Sequence, residues 1–124
     1  MILVDTSVWV EFFRRKEPVF TQLRELIEAG QIRVHALVFG ELLQGCRSTA
    51  EADFVTAYWE TLQDPQSNQG IVEGGRLAFE KKFGAKGIGL VDAVLLAEAR
   101  RRQLRVWTLD KKLAAVLHKS ERVM

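Results

Sequence analysis

Ile2-Leu3-Val4-Asp5-Thr6-Ser7-Val8-Trp9-Val10-Glu11-Phe12-Phe13 is the stretch on which the fold turns. Its first three residues are apolar and include the β-branched Ile2 and Val4, the make-up of a short buried strand. Thr6 or Ser7 then offers a helix cap, and Val8, Trp9, Phe12 and Phe13 recur at helical spacing. A strand therefore gives way to a helix at Asp5.

The same alternation continues downstream. Residues 19–29 predict a helix stopped by Gly30, and residues 32–35 a second short strand. Residues 36–46 read as a helix. Ser48 and Glu51 form a capping-box pair for a helix to about Leu62, which Asp64-Pro65 ends. Residues 67–83 look helical again, with Gly70, Gly74 and Gly75 weakening the first half. Glycines 84, 87 and 89 mark a flexible loop, after which a helix at 90–102, a strand at 104–109 and a short helix at 111–119 close the chain. Short apolar strands between longer helices imply a central, mainly parallel sheet covered on both faces, an α/β/α sandwich. Ligands of such sheets gather outside the carboxyl ends of the strands.

At 124 residues and 48% hydrophobic composition, one packed domain spanning 1–124 is expected, with no need of staples. Asp5 interrupts the N-terminal apolar run too early for a secretory or membrane-spanning segment, so the expectation is a soluble, unprocessed, cytoplasmic protein. The one cysteine, Cys46, fits a reducing compartment and reads as a small apolar filler. The net charge of +2 hides a division along the chain. Residues 1–75 carry 6 Lys and Arg against 11 Asp and Glu, whereas residues 76–124 carry 12 against 5. Arg100, Arg101, Arg102, Arg105, Lys111, Lys112 and Lys119 crowd the basic end, as either a solvated face or a footprint for phosphodiesters.

Four acids stand out against apolar surroundings. Asp5 follows the first strand, where an Asx turn or N-cap is the ordinary explanation. Glu41 is the only charged residue from His35 through Cys46 and shares a helical face with Leu37, Val38, Leu42 and Gly45, so an inward-facing carboxylate is expected. There it needs a cation or an arginine. Gly40 beside it would allow close backbone approach. Asp92 lies in the first turn of an apolar helix, which the helix dipole alone would favour. Asp110 ends the last strand and could simply cap the next helix. An α/β sheet would bring these positions toward one edge, where unneutralised carboxylates repel and hard cations such as Mg²⁺ or Mn²⁺ find the oxygen ligands they prefer. Metal-assisted hydrolysis is the chemistry implied. Ser7 and Thr108 supply hydroxyls beside Asp5 and Asp110, either to position a carboxylate or as ordinary cap and strand residues.

Other schemes do poorly. Only His35 and His118 could serve a Ser-His-Asp or Cys-His arrangement, and neither Ser nor Cys sits in a nucleophile elbow. The glycines at 84–89 lack the Lys-Ser/Thr of a phosphate loop. An aspartyl-phosphate enzyme would want a second Asp at position 7, which is Ser.

Val4-Asp5-Thr6-Ser7-Val8-Trp9, Val38-Phe39-Gly40-Glu41-Leu42, Gly89-Leu90-Val91-Asp92-Ala93 and Trp107-Thr108-Leu109-Asp110-Lys111 together resemble, in order and spacing, the motifs of the PIN-domain ribonucleases. Within that family the chain is similar to the VapC toxins of toxin–antitoxin pairs. The resemblance implies Asp5, Glu41, Asp92 and Asp110 as a Mg²⁺ or Mn²⁺ site, supported by Ser7 and Thr108. It implies endonucleolytic cleavage of RNA, homodimerisation, and inhibition by a VapB-like antitoxin in a heterotetramer or larger assembly. On that reading the basic residues at 100–105 and 111–112 carry RNA phosphates, and Trp9, Phe12 and Phe13 either pack the core or line a groove for an antitoxin helix. The alternatives are a non-toxic PIN-like or flap-type nuclease in RNA or DNA processing, a catalytically silent PIN-like binding module, and a non-nuclease phosphohydrolase.

Overall fold

The computed structural model describes residues 1–64 and 70–123. Three short strands, β1 (Ile2–Val4), β2 (Ile32–Arg33) and β3 (Arg105–Trp107), form a parallel sheet in the order β2-β1-β3. Ile2 lies opposite both Ile32 and Arg105, and Val4 opposite Trp107. All three residues of β1 are buried, as the central strand of a sheet covered on both faces must be.

Seven helices are found among the described residues: α1 (Thr6–Phe13), α2 (Val19–Glu28), α3 (Ala36–Gln44), α4 (Thr49–Leu62), α5 (Ile71–Glu80), α6 (Leu90–Arg102) and α7 (Lys111–Val116). The chain steps from β1 to β2 through α1 and α2, then crosses back over β1 to β3 through α3 to α6. Helix α1 packs against α2 and α3 and α3 against α4, while α5 lies on α6, and the two crossovers leave β1 in opposite directions. That reversal opens a crevice at the carboxyl ends of β1 and β3.

The ladders are shorter than the sequence patterns suggest, because β pairing stops where His35 turns to cap α3. Its Nδ1 accepts a 3.0 Å hydrogen bond from the Leu37 N–H. The final helix likewise ends at Val116, and a separate 3-10 turn follows at Lys119–Glu121. The glycine loop is partly ordered as a 3-10 turn at Phe83–Lys86. The expected helix start at Ser67 and the Pro65 stop lie outside the described residues, while α4 ends at Leu62 as its pattern indicates.

Gly74, which weakens a helix on propensity alone, is explained by packing. A Cβ there would stand 2.6 Å from Val94 Cα, so only glycine lets α5 lie directly on α6. Trp9 and Phe12 are buried at 0% and 3% exposure, and Trp9 meets the rings of Phe12, Phe13, Phe39 and Tyr58. For these two residues the core reading holds.

Candidate active site

Asp5 lies where β1 ends. Its backbone N–H donates to Trp107 O at 3.0 Å, which continues the β1–β3 ladder and sets Asp5 beside Thr108. Asp5, and not Thr6 or Ser7, occupies the N-cap position of α1, yet its side chain makes no capping bond. The carboxylate turns instead to two hydroxyls. Ser7 Oγ and Thr108 Oγ1 each donate to Oδ2 at 2.7 Å. Those hydroxyls are held in turn by the N–H groups of Leu109, which donates to Ser7 Oγ at 2.9 Å, and Asp110, which donates to Thr108 Oγ1 at 3.0 Å. A buried carboxylate, 3% exposed, is thus satisfied on one oxygen.

Glu41 corrects the sequence reading. It sits on α3 as expected, but at the exposed rim of that helix's buried face and not inside it. Val38 and Leu42 fill the core, and the 100° step per residue leaves Glu41 at the edge. Nothing lies within 4 Å of a Cβ built on Gly40, so no close backbone approach occurs there. Thr6 holds Glu41: its Oγ1 donates to Oε1 at 2.7 Å. Sequence reasoning missed this role for Thr6. Its hydroxyl stands next to Asp5, but no local signal pairs it with a residue 35 positions away.

Asp110 caps α7. Its Oδ1 accepts from the N–H groups of Lys112 at 2.8 Å and Leu113 at 3.2 Å, so the ordinary capping explanation is correct as far as that oxygen goes. Asp92 lies in the first turn of α6, half-buried. Burial and the nearby charges of Asp5, Asp110 and Glu41, in that order, push its carboxyl up to about 7. All four acids therefore share one electrostatic neighbourhood, drawn from β1, α3, α6 and the segment after β3.

The oxygens left over form a pattern. Among the described residues, hydrogen bonds engage Oδ2 of Asp5, Oε1 of Glu41 and Oδ1 of Asp110, while the second oxygen of each and both oxygens of Asp92 have none. Hard oxygen donors, anchored on one side and open on the other, suit a divalent cation. No three His, Cys, Asp or Glu side chains among the described residues already form a ready-made ligand set for one ion.

The match to known families covers residues 2–119 and is to the PIN domain. The chain belongs to the PIN-domain family. Ribonuclease VapC32 of Mycobacterium tuberculosis is 37% identical over 122 residues, which span 97% of this chain and 93% of that protein. Among solved structures, a toxin-antitoxin complex from Klebsiella pneumoniae superposes with a TM-score of 0.70 at 20% identity, over 100% of this chain and 97% of that one. FitAcB from Neisseria gonorrhoeae gives a TM-score of 0.61 at 23% identity, over 91% and 90%. These two likenesses establish the fold, an α/β/α PIN-like sandwich.

Two further surfaces of this PIN domain bear on the sequence reading, one beside the acids and one at the far end of α6. A groove of about 580 Å³ runs between α1, α3 and α4 and ends at Thr6 and Glu41. Phe13, Phe54, Val10 and Leu42 line it with Arg14 and Arg47. Cys46 lies half-buried on its wall, its thiol donating to Leu42 O at 3.3 Å. The basic cluster is less available than its sequence density suggests. Arg100 pairs with Glu121, Arg101 with the buried Glu98, and Arg102 with both Glu98 and Asp64. These pairings engage all three arginines within the protein, with Glu98 shared between Arg101 and Arg102.

Proposed function

We propose that this chain is a divalent-metal-dependent endoribonuclease of the VapC toxin type, working as one PIN-like domain in the cytoplasm. Asp5, Glu41, Asp92 and Asp110 would hold Mg²⁺ or Mn²⁺, with Ser7 and Thr108 in support. The observation that supports this reading is the carboxyl of Asp92, raised to about 7 by burial and by the charges of Asp5, Asp110 and Glu41. RNA as the substrate is supported by kinship with a protein named as a ribonuclease.

Bound there, the ion would supply Lewis acidity and a more acidic water for attack on a phosphodiester. The chain's own residues have separable tasks. Ser7 and Thr108 fix Asp5 Oδ2 and so aim Oδ1. Thr6 does the same for Glu41. Near neutral pH Asp92 retains part of its proton and releases it when a positive charge arrives. Asp110 offers one oxygen, because the other holds the first turn of α7.

A VapB-like antitoxin is the proposed inhibitor. The groove ending at Glu41 supports this, since its apolar floor and its edges of Arg14, Arg47 and Glu51 suit an amphipathic segment. Phe13→Asp with intact folding should abolish antitoxin binding. Self-association into a homodimer, and with antitoxin a heterotetramer or larger, belongs to the same reading. Val72 and Phe79, 83% and 81% exposed on α5, supply apolar surface for it. No helix among the described residues is long and apolar enough to cross a membrane.

The deciding experiment incubates wild type and Asp5→Asn with structured and unstructured RNA in Mg²⁺, Mn²⁺ or EDTA. Cleavage by wild type only with metal is expected. Cleavage in EDTA, or cleavage untouched by Asp5→Asn, overturns the mechanism.

A further inference from the structure

The groove between α1, α3 and α4 reaches the acids directly, because Thr6 and Glu41, joined by their 2.7 Å hydrogen bond, form part of its wall. From that bond α1 runs on to Arg14, its C-cap residue, about 12 Å further along the helix axis at 1.5 Å per residue. Arg47 follows Glu41 in the same sense, just beyond the end of α3, and lines the same groove. Both arginines are exposed, and among the described residues no ion pair engages either one. Apart from Glu41, the groove contains one carboxylate, that of Glu51, whose Oε2 accepts the Arg47 backbone N–H at 2.8 Å and is thereby tied to the start of α4. Two cations against one anion leave this stretch positive.

Phe54 supplies an aromatic surface in the same groove and is 51% exposed. Phe13 and Tyr58 meet its ring at centroid distances of 6.0 and 5.4 Å, but at 77° and 64°, so neither stacks parallel on it. A half-exposed ring and two unpaired guanidinium groups in one groove match the parts of a nucleotide. The ring takes the face of a base, and the planar donor forks take phosphate oxygens.

We propose that this groove is a nucleotide subsite, which binds an RNA nucleotide flanking the cleaved bond with its base on Phe54 and its phosphate on Arg14 and Arg47. Glu41 at the groove's inner end links the subsite to the acids, and the cations lie away from them, where they grip the substrate without competing for a metal. The proposal rests on the ribonuclease reading of those acids. It adds a means of holding the RNA beyond the bond that is cut.

The test uses a single-stranded oligoribonucleotide that wild type cuts in Mn²⁺, and copies of it carrying a single abasic ribonucleotide at successive positions on either side of the cut. One abasic position is expected to raise the wild-type KM about tenfold, the weight of a lost base–aromatic stack. Phe54→Leu should bind intact RNA that much more weakly and lose the response to the abasic position, and Phe54→Tyr should restore both. Replacing Arg14 and Arg47 together by Gln should make the slope of log(kcat/KM) against log salt shallower by about 0.7, the weight of one single-strand phosphate, and replacing both by Lys should keep the wild-type slope. A wild type indifferent to every abasic position overturns the proposal. So does an abasic effect that persists in full in Phe54→Leu, or a salt slope unchanged in the double Gln variant. Each of these leaves the groove to a peptide segment and the ribonuclease reading intact, whereas a wild type that cuts no RNA overturns both. Thermal melts accompany each variant, and if Phe54→Leu melts early the response of wild type to the abasic positions decides.

Discussion

Thr6 Oγ1 donates a 2.7 Å hydrogen bond to Glu41 Oε1, so the first turn of α1 holds a carboxylate carried by α3. Ser7, the next residue, holds Asp5 in the same way. Two consecutive hydroxyls thus orient two different acids, because successive helix positions point about 100° apart.

Removing the Thr6 hydroxyl should loosen the site without damaging the fold. Thr6→Val is isosteric and is expected to weaken Mn²⁺ binding about tenfold, as loss of a ligand's outer hydrogen-bond partner usually does. Thr6→Ser should restore it. Calorimetric titration of the metal-free protein with Mn²⁺ reads the effect directly. Equal affinities in wild type and Thr6→Val would sink the idea.

Asp92 makes metal-free stability depend on pH in a defined direction. Its carboxyl is raised from 3.8 to about 7, so between those values the folded chain holds a proton that the unfolded chain has released. That contribution is complete below about pH 4 and is lost as pH rises through 7. Melting temperatures in EDTA should therefore fall from pH 5 to pH 8. Asp92→Asn should flatten the slope, and an unchanged slope in that variant would rule Asp92 out as its source.

Neighbouring glycines on α5 should respond oppositely to the same substitution. Gly74→Ala drives a methyl to 2.6 Å from Val94 Cα, where only backbone movement can relieve it, and should cost about 1–3 kcal/mol. Gly75→Ala meets Leu90 Cδ1 at an ordinary 3.9 Å and gains helix propensity, up to about 1 kcal/mol. Urea unfolding of the two variants separates close packing from propensity.

Ser7 and Thr108 act as a unit around Asp5. Each donates to Oδ2, and each accepts a backbone N–H from the segment after β3. Thr108→Val should destabilise by about 1–3 kcal/mol, since it strips a buried carboxylate of a donor and leaves the Asp110 N–H without its acceptor. Ser7→Ala and Thr108→Val combined should depart from additivity by about 0.5–3 kcal/mol in a double-mutant cycle. Strict additivity would mean that the two hydroxyls act independently.

Local patterns carried much of the fold. Ile2 to Val4 is a strand, Val8, Trp9 and Phe12 face the core, and Ser48 caps α4 by accepting from the Glu51 N–H at 3.1 Å. These depend on residues a few positions apart, where periodicity and capping chemistry operate. Strand ends were less legible, since where pairing stops depends on His35 turning to cap α3.

The arrangement of the acids was readable only in part. Their identities and their places at strand and helix ends follow from the sequence, because a charged residue amid apolar neighbours is visible locally. Their partners do not. Glu41 lies at an exposed rim bonded to Thr6, Arg100 and Arg102 pair with Glu121 and Asp64 far along the chain, and Lys112 rests on Gly87, 25 residues earlier in the chain.

By itself the sequence determined that strands and helices alternate, that four carboxylates punctuate them, and that positive charge gathers in the second half. Only the tertiary structure decided which charges remain available and which oxygens stay open. Electrostatic and hydrogen-bond partners are chosen by proximity in space, and parallel crossovers bring together residues that no local pattern connects.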